Sequence, residues 1–212
     1  MIEETLSSAA AQQFYDRLGA GHDRAEFYEA RAKQRGLELL AARPGQRILN
    51  VGVGTGKEHL QIQAAAAPNG QALGLDLSPV MLRLAHQRTG APLCRANARF
   101  LPYPAASFDA LFSSYMLDLI PVRLLPAFLA EFWRILKPGG RLVLVSLTEG
   151  VNLPSQALVG LWKTAYAISP TACGGCRPLQ LAGMVAAAGF SHIDRDVVVQ
   201  MAFPSEIISA RR

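Results

Sequence analysis

This sequence predicts an α/β architecture: a doubly wound, mostly parallel sheet with helices on both faces and an N-terminal helical extension. Three observations carry that expectation. From residue 45 onward, short apolar runs alternate with helix-patterned segments. The run Leu142-Val-Leu-Val145 is apolar at every position instead of every second one, as a strand covered on both faces requires. Finally, the apolar run Arg47-Ile-Leu-Asn-Val51 passes directly into Gly52-Val-Gly54-Thr-Gly56-Lys57 and then into a helical pattern.

Taken in order, residues 8–42 read as helical. Ser7 or Ser8 can cap the start, and Phe14, Leu18, Phe27, Tyr28, Leu37, Leu39 and Leu40 recur at helix-like spacing. Gly19 and Gly21 predict a break, and Arg43-Pro44-Gly45 ends the segment. Strands are then expected at Arg47–Val51, Ala72–Leu75, Leu93–Arg95, Ala110–Ser113, Leu142–Ser146 and Asp196–Gln200. Helices are expected near Gly56–Ala66, Pro79–Gln87, Arg123–Leu136 and Leu179–Ala188, the last opening at Arg177-Pro178. There is no internal repeat and no low-complexity linker, so one domain over 1–212 is expected.

Size and composition agree with that. At 212 residues and 22.8 kDa, folding leaves roughly 9,600 Å² exposed out of about 33,000 Å², enough for a sizeable core. Half of the residues are hydrophobic and only 17% charged, which excludes intrinsic disorder. The net charge of +5 is scattered, and residues 1–47 balance seven basic against seven acidic side chains. Without a Lys/Arg run, neither nucleic acid nor an anionic membrane is expected as a partner. Three cysteines, Cys94, Cys173 and Cys176, are too few for a disulfide framework and predict a cytoplasmic protein. The start is acidic at Glu3 and Glu4 where a signal peptide would be basic, and no apolar run approaches a membrane span.

The glycine segment is the most informative. Glycines at a strand–helix turn let the chain bend tightly and let a ligand lie against bare main chain. Unpaired N–H groups and the positive end of the following helix favour an anion there, a phosphate or a carboxylate. At the end of the next strand stands Asp76, whose carboxylate can accept hydrogen bonds from ribose hydroxyls. The parts together predict a pocket for a nucleoside with an anionic tail. The third glycine comes one residue too early for a dinucleotide fingerprint, and no Lys-Ser/Thr follows as in a nucleoside-triphosphate loop.

With these residues in place, the chain resembles class I S-adenosylmethionine-dependent methyltransferases, whose sheet is Rossmann-like. The nearest group is the ubiquinone- and menaquinone-biosynthesis (type 11) methyltransferases. The resemblance spans roughly residues 45–150. It is carried by Ile48-Leu-Asn-Val-Gly-Val-Gly-Thr-Gly56, Gly74-Leu-Asp76-Leu-Ser-Pro79-Val-Met-Leu82, Asn97-Ala98 with Leu101-Pro-Tyr-Pro104 and Ser107-Phe-Asp109, and Leu136-Lys-Pro-Gly-Gly-Arg-Leu142. Phe14-Tyr-Asp-Arg17 is similar to the start of the group's N-terminal segment.

The resemblance implies a helical cap over 1–44, a cofactor-binding core over 45–150, and substrate-side helices with C-terminal strands over 151–212. It implies S-adenosylmethionine as cofactor, bound by Asn50, Gly52, Gly54, Gly56, Asp76, Leu77, Asn97, Ala98 and Ser113. The glycines would line its methionine end, Asp76 would hold the ribose, Leu77 would pack on the adenine, and Asn97 and Ala98 would meet the adenine edge. Two positions depart from the family pattern: Asn50 and Asn97 stand where an acid is usual. His22 also replaces the usual aromatic hydroxyl.

Methyl transfer from a sulfonium is an in-line displacement, so the protein chiefly aligns the reactants and excludes water. A general base is needed only for an acceptor that arrives protonated. Asp118, just past the fourth expected strand, is the candidate, with Tyr115 and His22 behind it. The apolar stretch Leu153, Leu158, Leu161, Trp162, Tyr166 and Ile168 can form a wall for an apolar acceptor such as a quinone precursor or a lipid headgroup. Cys173-Gly-Gly-Cys176 has redox or metal-like spacing, but no second Cys or His pair accompanies it, so no metal is expected. Arg177 is expected to be solvated. His59, His86 and His192 are expected to be structural. The expected function is methyl transfer to a small, apolar or aromatic acceptor. An NAD-dependent oxidoreductase and a catalytically silent module on the same fold are the alternatives.

Overall fold

Alternate residues of the central strands point into two separate cores, and this covers the sheet on both faces. The computed structural model describes residues 2–212, the side chain of Glu26 excepted. Its strands are β1 (Arg47–Val51), β2 (Gln71–Asp76), β3 (Leu93–Arg95), β4 (Phe108–Ser114), β5 (Leu136–Leu147), β6 (Ser191–Gln200) and β7 (Phe203–Arg211). Leu49 and Val51 of β1, Leu111 of β4 and Leu142 and Leu144 of β5 join one core. Ile48, Ala110, Phe112, Val143 and Val145 face the other.

Among the described residues these strands form one sheet in the order β3-β2-β1-β4-β5-β7-β6. Strands β1 to β5 pair in parallel, and β7 runs antiparallel between β5 and β6. The order reverses between β1 and β4, which is where open α/β sheets leave a crevice at the strand C-termini.

The helices are α1 (Ser8–Leu18), α2 (Glu26–Leu40), α3 (Lys57–Ala66), α4 (Pro79–Thr89), α5 (Leu125–Ile135), α6 (Leu153–Ile168) and α7 (Ala182–Ala187). Local signals explain several of their ends. Ser7 and Ser78 accept hydrogen bonds from Ala10 N and Met81 N as N-caps of α1 and α4, and Pro79 opens α4. Asn152 and Ser155 form a reciprocal capping box at α6. Helix α5 buries Leu125, Phe128, Leu129, Phe132 and Ile135, a spacing that lays one face on the first core.

The N-terminal region divides into two parts. A 3-10 segment, Gly19–Ala25, occupies the expected break. Beyond it α2 is an integral layer of the fold, with Ala32 and Leu40 in the second core. Gly36 allows this, because a Cβ there would stand 2.7 Å from Val145 and 3.1 Å from Phe112.

Three expectations need correction. Strand β7 was not among the expected strands; it pairs on both sides and carries Ser205 and Glu206 buried between Phe203 and Ile207. The last helix begins at Ala182, not at Arg177-Pro178, which lie in the extended approach to it. Arg177 is wholly buried, donating to the carbonyls of Ile2 and Asp118 at 2.9 and 2.6 Å and also to that of Ile120. Carbonyls that end irregular segments replace solvent as its partners.

Packing of α2 against the sheet is testable by overfilling its closest approach. Gly36→Leu should cost about 1–3 kcal/mol of unfolding free energy. Gly160→Ala in α6, where a Cβ meets nothing within 4 Å, should gain about 0.5–1 kcal/mol. Urea midpoints at unchanged slope would check both.

Candidate active site

At the switch in strand order a cavity opens, about 1170 Å³ including its mouth and the open space before it. One end is made by the loop after β1 and the tips of β2 and β3: Gly52, Val53, Gly54, Thr55, Asp76, Leu77, Asn97 and Ala98 all line it. The other end is closed by α1, α2 and the segment after β4, through Tyr15, Glu29, Lys33, Tyr115, Met116 and Cys176.

The glycine loop is shaped by its own hydrogen bonds. Gly52 N and Val53 N both donate to Leu75 O at 2.9 Å, and Gly56 N to Val53 O at 3.0 Å. Gly54 N donates to Asp76 Oδ2 at 3.0 Å, while Ser78 N donates to Oδ1 at 2.9 Å. Much of the expected anion cradle is therefore occupied from within, and Asp76 is itself one of the anions it holds. Each carboxylate oxygen still has a second acceptor position. Burial raises the Asp76 pKa, against the lowering effect of the backbone donors Ser78, Gly54 and Leu77, and nearby Asp16 adds to the rise.

The three glycines play different parts. Gly52 (φ +74) borders the cavity, and a Cβ there would come within 2.8 Å of Met116. Gly56 (φ +87) is off the wall; its Cβ would stand 2.9 Å from Ala85 Cα, so it lets α3 and α4 approach. Asn50 and Ser113 are likewise buried behind the wall, Ser113 Oγ donating to Val51 O at 2.9 Å. Leu77, Asn97 and Ala98 do line the cavity, and Asn97 Oδ1 also accepts from Arg99 N at 2.9 Å.

Asp118 needs correction as a candidate base. It is fully buried in the 3-10 turn Leu117–Leu119 and does not line the cavity. The turn sends its carboxylate back to β5, where Oδ2 accepts from Leu147 N at 2.9 Å, and burial raises its pKa well above the usual range. The Tyr115 side chain lines the cavity, but its hydroxyl lies 2.6 Å from Ser205 Oγ in the interior and not at the rim. His22 lines the cavity near Gly54. None of Leu153, Leu158, Leu161, Trp162, Tyr166 or Ile168 lines it: Trp162 packs on Phe203, while Leu153, Leu161 and Ile168 face outward.

Cys176 lies on the wall with Sγ 3.7 Å from the Tyr15 hydroxyl, and burial pushes both groups well above their usual pKa values. Both are neutral at physiological pH. Among the described residues no cluster of three or more His, Cys, Asp or Glu side chains could hold a metal ion. His59 is buried, and burial lowers its pKa to about 4, keeping it neutral.

The N-terminal segment is fastened over the cavity by two carboxylates. Asp16 accepts from Ser78 Oγ at the start of α4. Asp23 accepts from Thr55 Oγ1 and from Arg88 Nη2 at 2.9 Å, with Lys57 Nζ 3.7 Å away. Burial alone would raise the Asp23 pKa, but these bonds and charges lower it.

Residues 48–140 match a methyltransferase-domain family profile. The chain thus carries a methyltransferase domain over this stretch. A demethylmenaquinone methyltransferase from Deinococcus radiodurans is 39% identical over 136 residues, covering 58% of this chain and 50% of that protein. A malonyl-[acyl-carrier protein] O-methyltransferase from Herminiimonas arsenicoxydans is 30% identical over 179 residues, covering 84% of this chain and 65% of that protein. The chain thus spans about half to two-thirds of the length of the curated relatives it matches. The fold is similar to the crystal structure of the [4+2]-cyclase SpnF, with a TM-score of 0.74 at 19% identity, covering 98% of this chain and 97% of that one. It is also similar to a SAM-dependent methyltransferase from Aquifex aeolicus, with a TM-score of 0.64 at 17% identity and 94% and 97% coverage.

A methyltransferase domain on this fold implies S-adenosylmethionine as the cofactor, and the residues present fit it. The Gly52–Thr55 main chain along the cavity, the acceptor positions left on Asp76 and the Asn97-Ala98 edge meet the needs of a nucleoside amino acid.

Sequence reasoning missed Glu29, Lys33 and Cys176 as wall residues. A charged pair four residues apart on a helix reads as a solvated face, and nothing in the pattern of α2 marks it otherwise.

The buried Arg177 gives a stability test. Arg177→Ala leaves three carbonyls and the Asp118 carboxylate without their cation, and should cost about 3–5 kcal/mol. Chemical denaturation would check it.

Proposed function

We propose that this chain transfers a methyl group from S-adenosylmethionine to a small, apolar or aromatic acceptor. The observation that carries the reading is the continuity of one cavity. The parts assigned to the nucleoside stand at one end, and Tyr15, Tyr115, Met116 and Cys176 surround the other. The cofactor supplies an electrophilic methyl group. The chain supplies alignment and dryness. Gly52 to Thr55 would hold the methionine end, Asp76 the ribose, and Leu77, Asn97 and Ala98 the adenine. Tyr15, Tyr115, Met116 and Cys176 would form the walls that keep water from the reacting atoms.

The relatives bear on the acceptor through their names, which point to a quinone precursor or to a malonyl group on an acyl-carrier protein. The enclosed, partly aromatic chamber favours a small ring over a carrier-borne chain. They give no support to an oxidoreductase.

Two outcomes test this reading. S-adenosylhomocysteine should raise the melting temperature while NAD leaves it unchanged, and a response to NAD alone would overturn it. Asp76→Ala should weaken S-adenosylhomocysteine by about 1.5–3 kcal/mol, the worth of hydrogen bonds to a charged group.

The pH dependence has a definite sign. The ribose is held by the ionised carboxylate, and the Asp76 pKa is raised above the usual carboxylate value. Affinity should therefore fall on acidification sooner than for an ordinary aspartate, which titrates near ~3.9. Calorimetric titrations across mildly acidic pH should show that loss in the wild type and a flat profile in Asp76→Asn.

A further inference from the structure

We propose that Glu29 and Lys33 form a proton-transfer pair for an acceptor bearing an acidic hydroxyl, a phenol or an enol. Glu29 takes the proton and Lys33 holds the oxygen left behind. The inference rests on the methyl-transfer reading above and names the acceptor class and the base of that same site.

Both side chains line the cavity, yet their exposures are only 10% and 7%. They lie one turn apart on α2, with Lys33 Nζ 2.9 Å from Glu29 Oε2, and Lys33 also reaches Glu58 Oε1 of α3 at 3.5 Å. An ion pair at this spacing is ordinarily a surface feature worth little. Here it is taken out of water beside the Tyr115 ring, 5.8 Å from Nζ, where desolvation opposes it. Its place on a cavity wall gives that burial a use.

The phenols and the thiol at this end are unsuited to accept a proton. Tyr15, Tyr115 and Cys176 are held neutral by burial, and Tyr28, facing Glu29, is pushed up to about 12. Asp118 acts on this cluster only from behind the wall. Glu58 lies 3.5 Å from Lys33 Nζ, as a second counter-ion. The flat faces of Tyr15 and Tyr115, with the sulfur atoms of Met116 and Cys176, suit a planar ring.

Proton transfer from the hydroxyl to Glu29 moves one negative charge from the carboxylate to the acceptor oxygen, beside the same ammonium. No net charge is created in a space where an isolated charge is costly. The oxygen, or the ring carbon next to it, then bonds to the methyl carbon as the carbon–sulfur bond breaks, its electron pair staying on sulfur. The proton on Glu29 passes to solvent after oxygen methylation. After carbon methylation the ring proton is lost to solvent and Glu29 returns its own to the oxygen.

The probe is 4-nitrophenol, whose phenolate is coloured, titrated into protein saturated with S-adenosylhomocysteine below the pH at which the free dye ionises. On the wild type, bound dye is expected as phenolate. On Glu29→Gln and on Lys33→Met it is expected as the neutral phenol, with Glu29→Asp restoring part of the colour and S-adenosylhomocysteine affinity unchanged throughout. Methyl transfer to a phenolic acceptor should fall roughly 10²–10⁴-fold in kcat in Glu29→Gln. Dye that fails to bind the wild type, or binds it uncoloured, overturns the proposal. So does equal colour on the wild type and Lys33→Met, a readout that stands even where Glu29→Gln does not fold. A wild type that does not bind S-adenosylhomocysteine overturns the methyl-transfer reading itself.

Discussion

The Asp76 carboxylate is the contact on which the cofactor end depends. It receives Gly54 N on one oxygen and Ser78 N on the other, joining the glycine loop, the tip of β2 and the start of α4 through a single buried group. A buried carboxylate is tolerable only with such donors. The donors in turn fix its plane, so the oxygen positions left over are aimed before any ligand arrives. Ser78 extends the arrangement outward: its hydroxyl caps α4 through Met81 N and donates to Asp16 of α1.

The two N-terminal helices are held by different physics. Helix α2 lies in the second core with Ala32 and Leu40 against the sheet, a contact that opens only with the fold. Helix α1 buries Ala11 alone and is fastened chiefly by polar contacts, Asp16 to Ser78 and Tyr15 to Cys176. The 3-10 segment after it is tied by Asp23 to Thr55, Arg88 and Lys57. Contacts of this kind cost least to break. One wall of the cavity, which carries Glu29 and Lys33, is thus held by core packing, and the other, which carries Tyr15 and His22, chiefly by polar contacts.

What could be read from the sequence follows from how each element is encoded. Strand β1 has its expected bounds because an apolar run ends at a glycine turn, and α4 starts where Ser78-Pro79 says it should. Strand β7 escaped because Pro204, Ser205 and Glu206 interrupt its apolar pattern; its place is set by β5 and β6 on either side. At the site, Gly52, Gly54, Asp76, Leu77, Asn97 and Ala98 stand on the wall, since local chain geometry puts them there. The acceptor end was illegible for the converse reason. Tyr15, Glu29, Tyr115 and Cys176 come from four separate elements, and only tertiary packing brings them together.

That division bears on the two asparagines that depart from the family pattern. An acid lost at position 50 reads, in sequence, as negative charge lost beside a cationic ligand. Asn50 is buried behind the wall, however, so its side chain borders no ligand space. The wall carries negative charge elsewhere, at Asp76 and at Glu29 and Glu58, the last two 2.9 and 3.5 Å from the ammonium of Lys33. The same fold is found in a protein described as a [4+2]-cyclase and in SAM-dependent methyltransferases. Fold therefore cannot decide the chemistry, and the side chains at the acceptor end must. There, the carboxylates of Glu29 and Glu58 favour a cation such as a sulfonium over a second anion. On that ground the acceptor proposed for this chamber is one that enters neutral and gives up its proton only once inside.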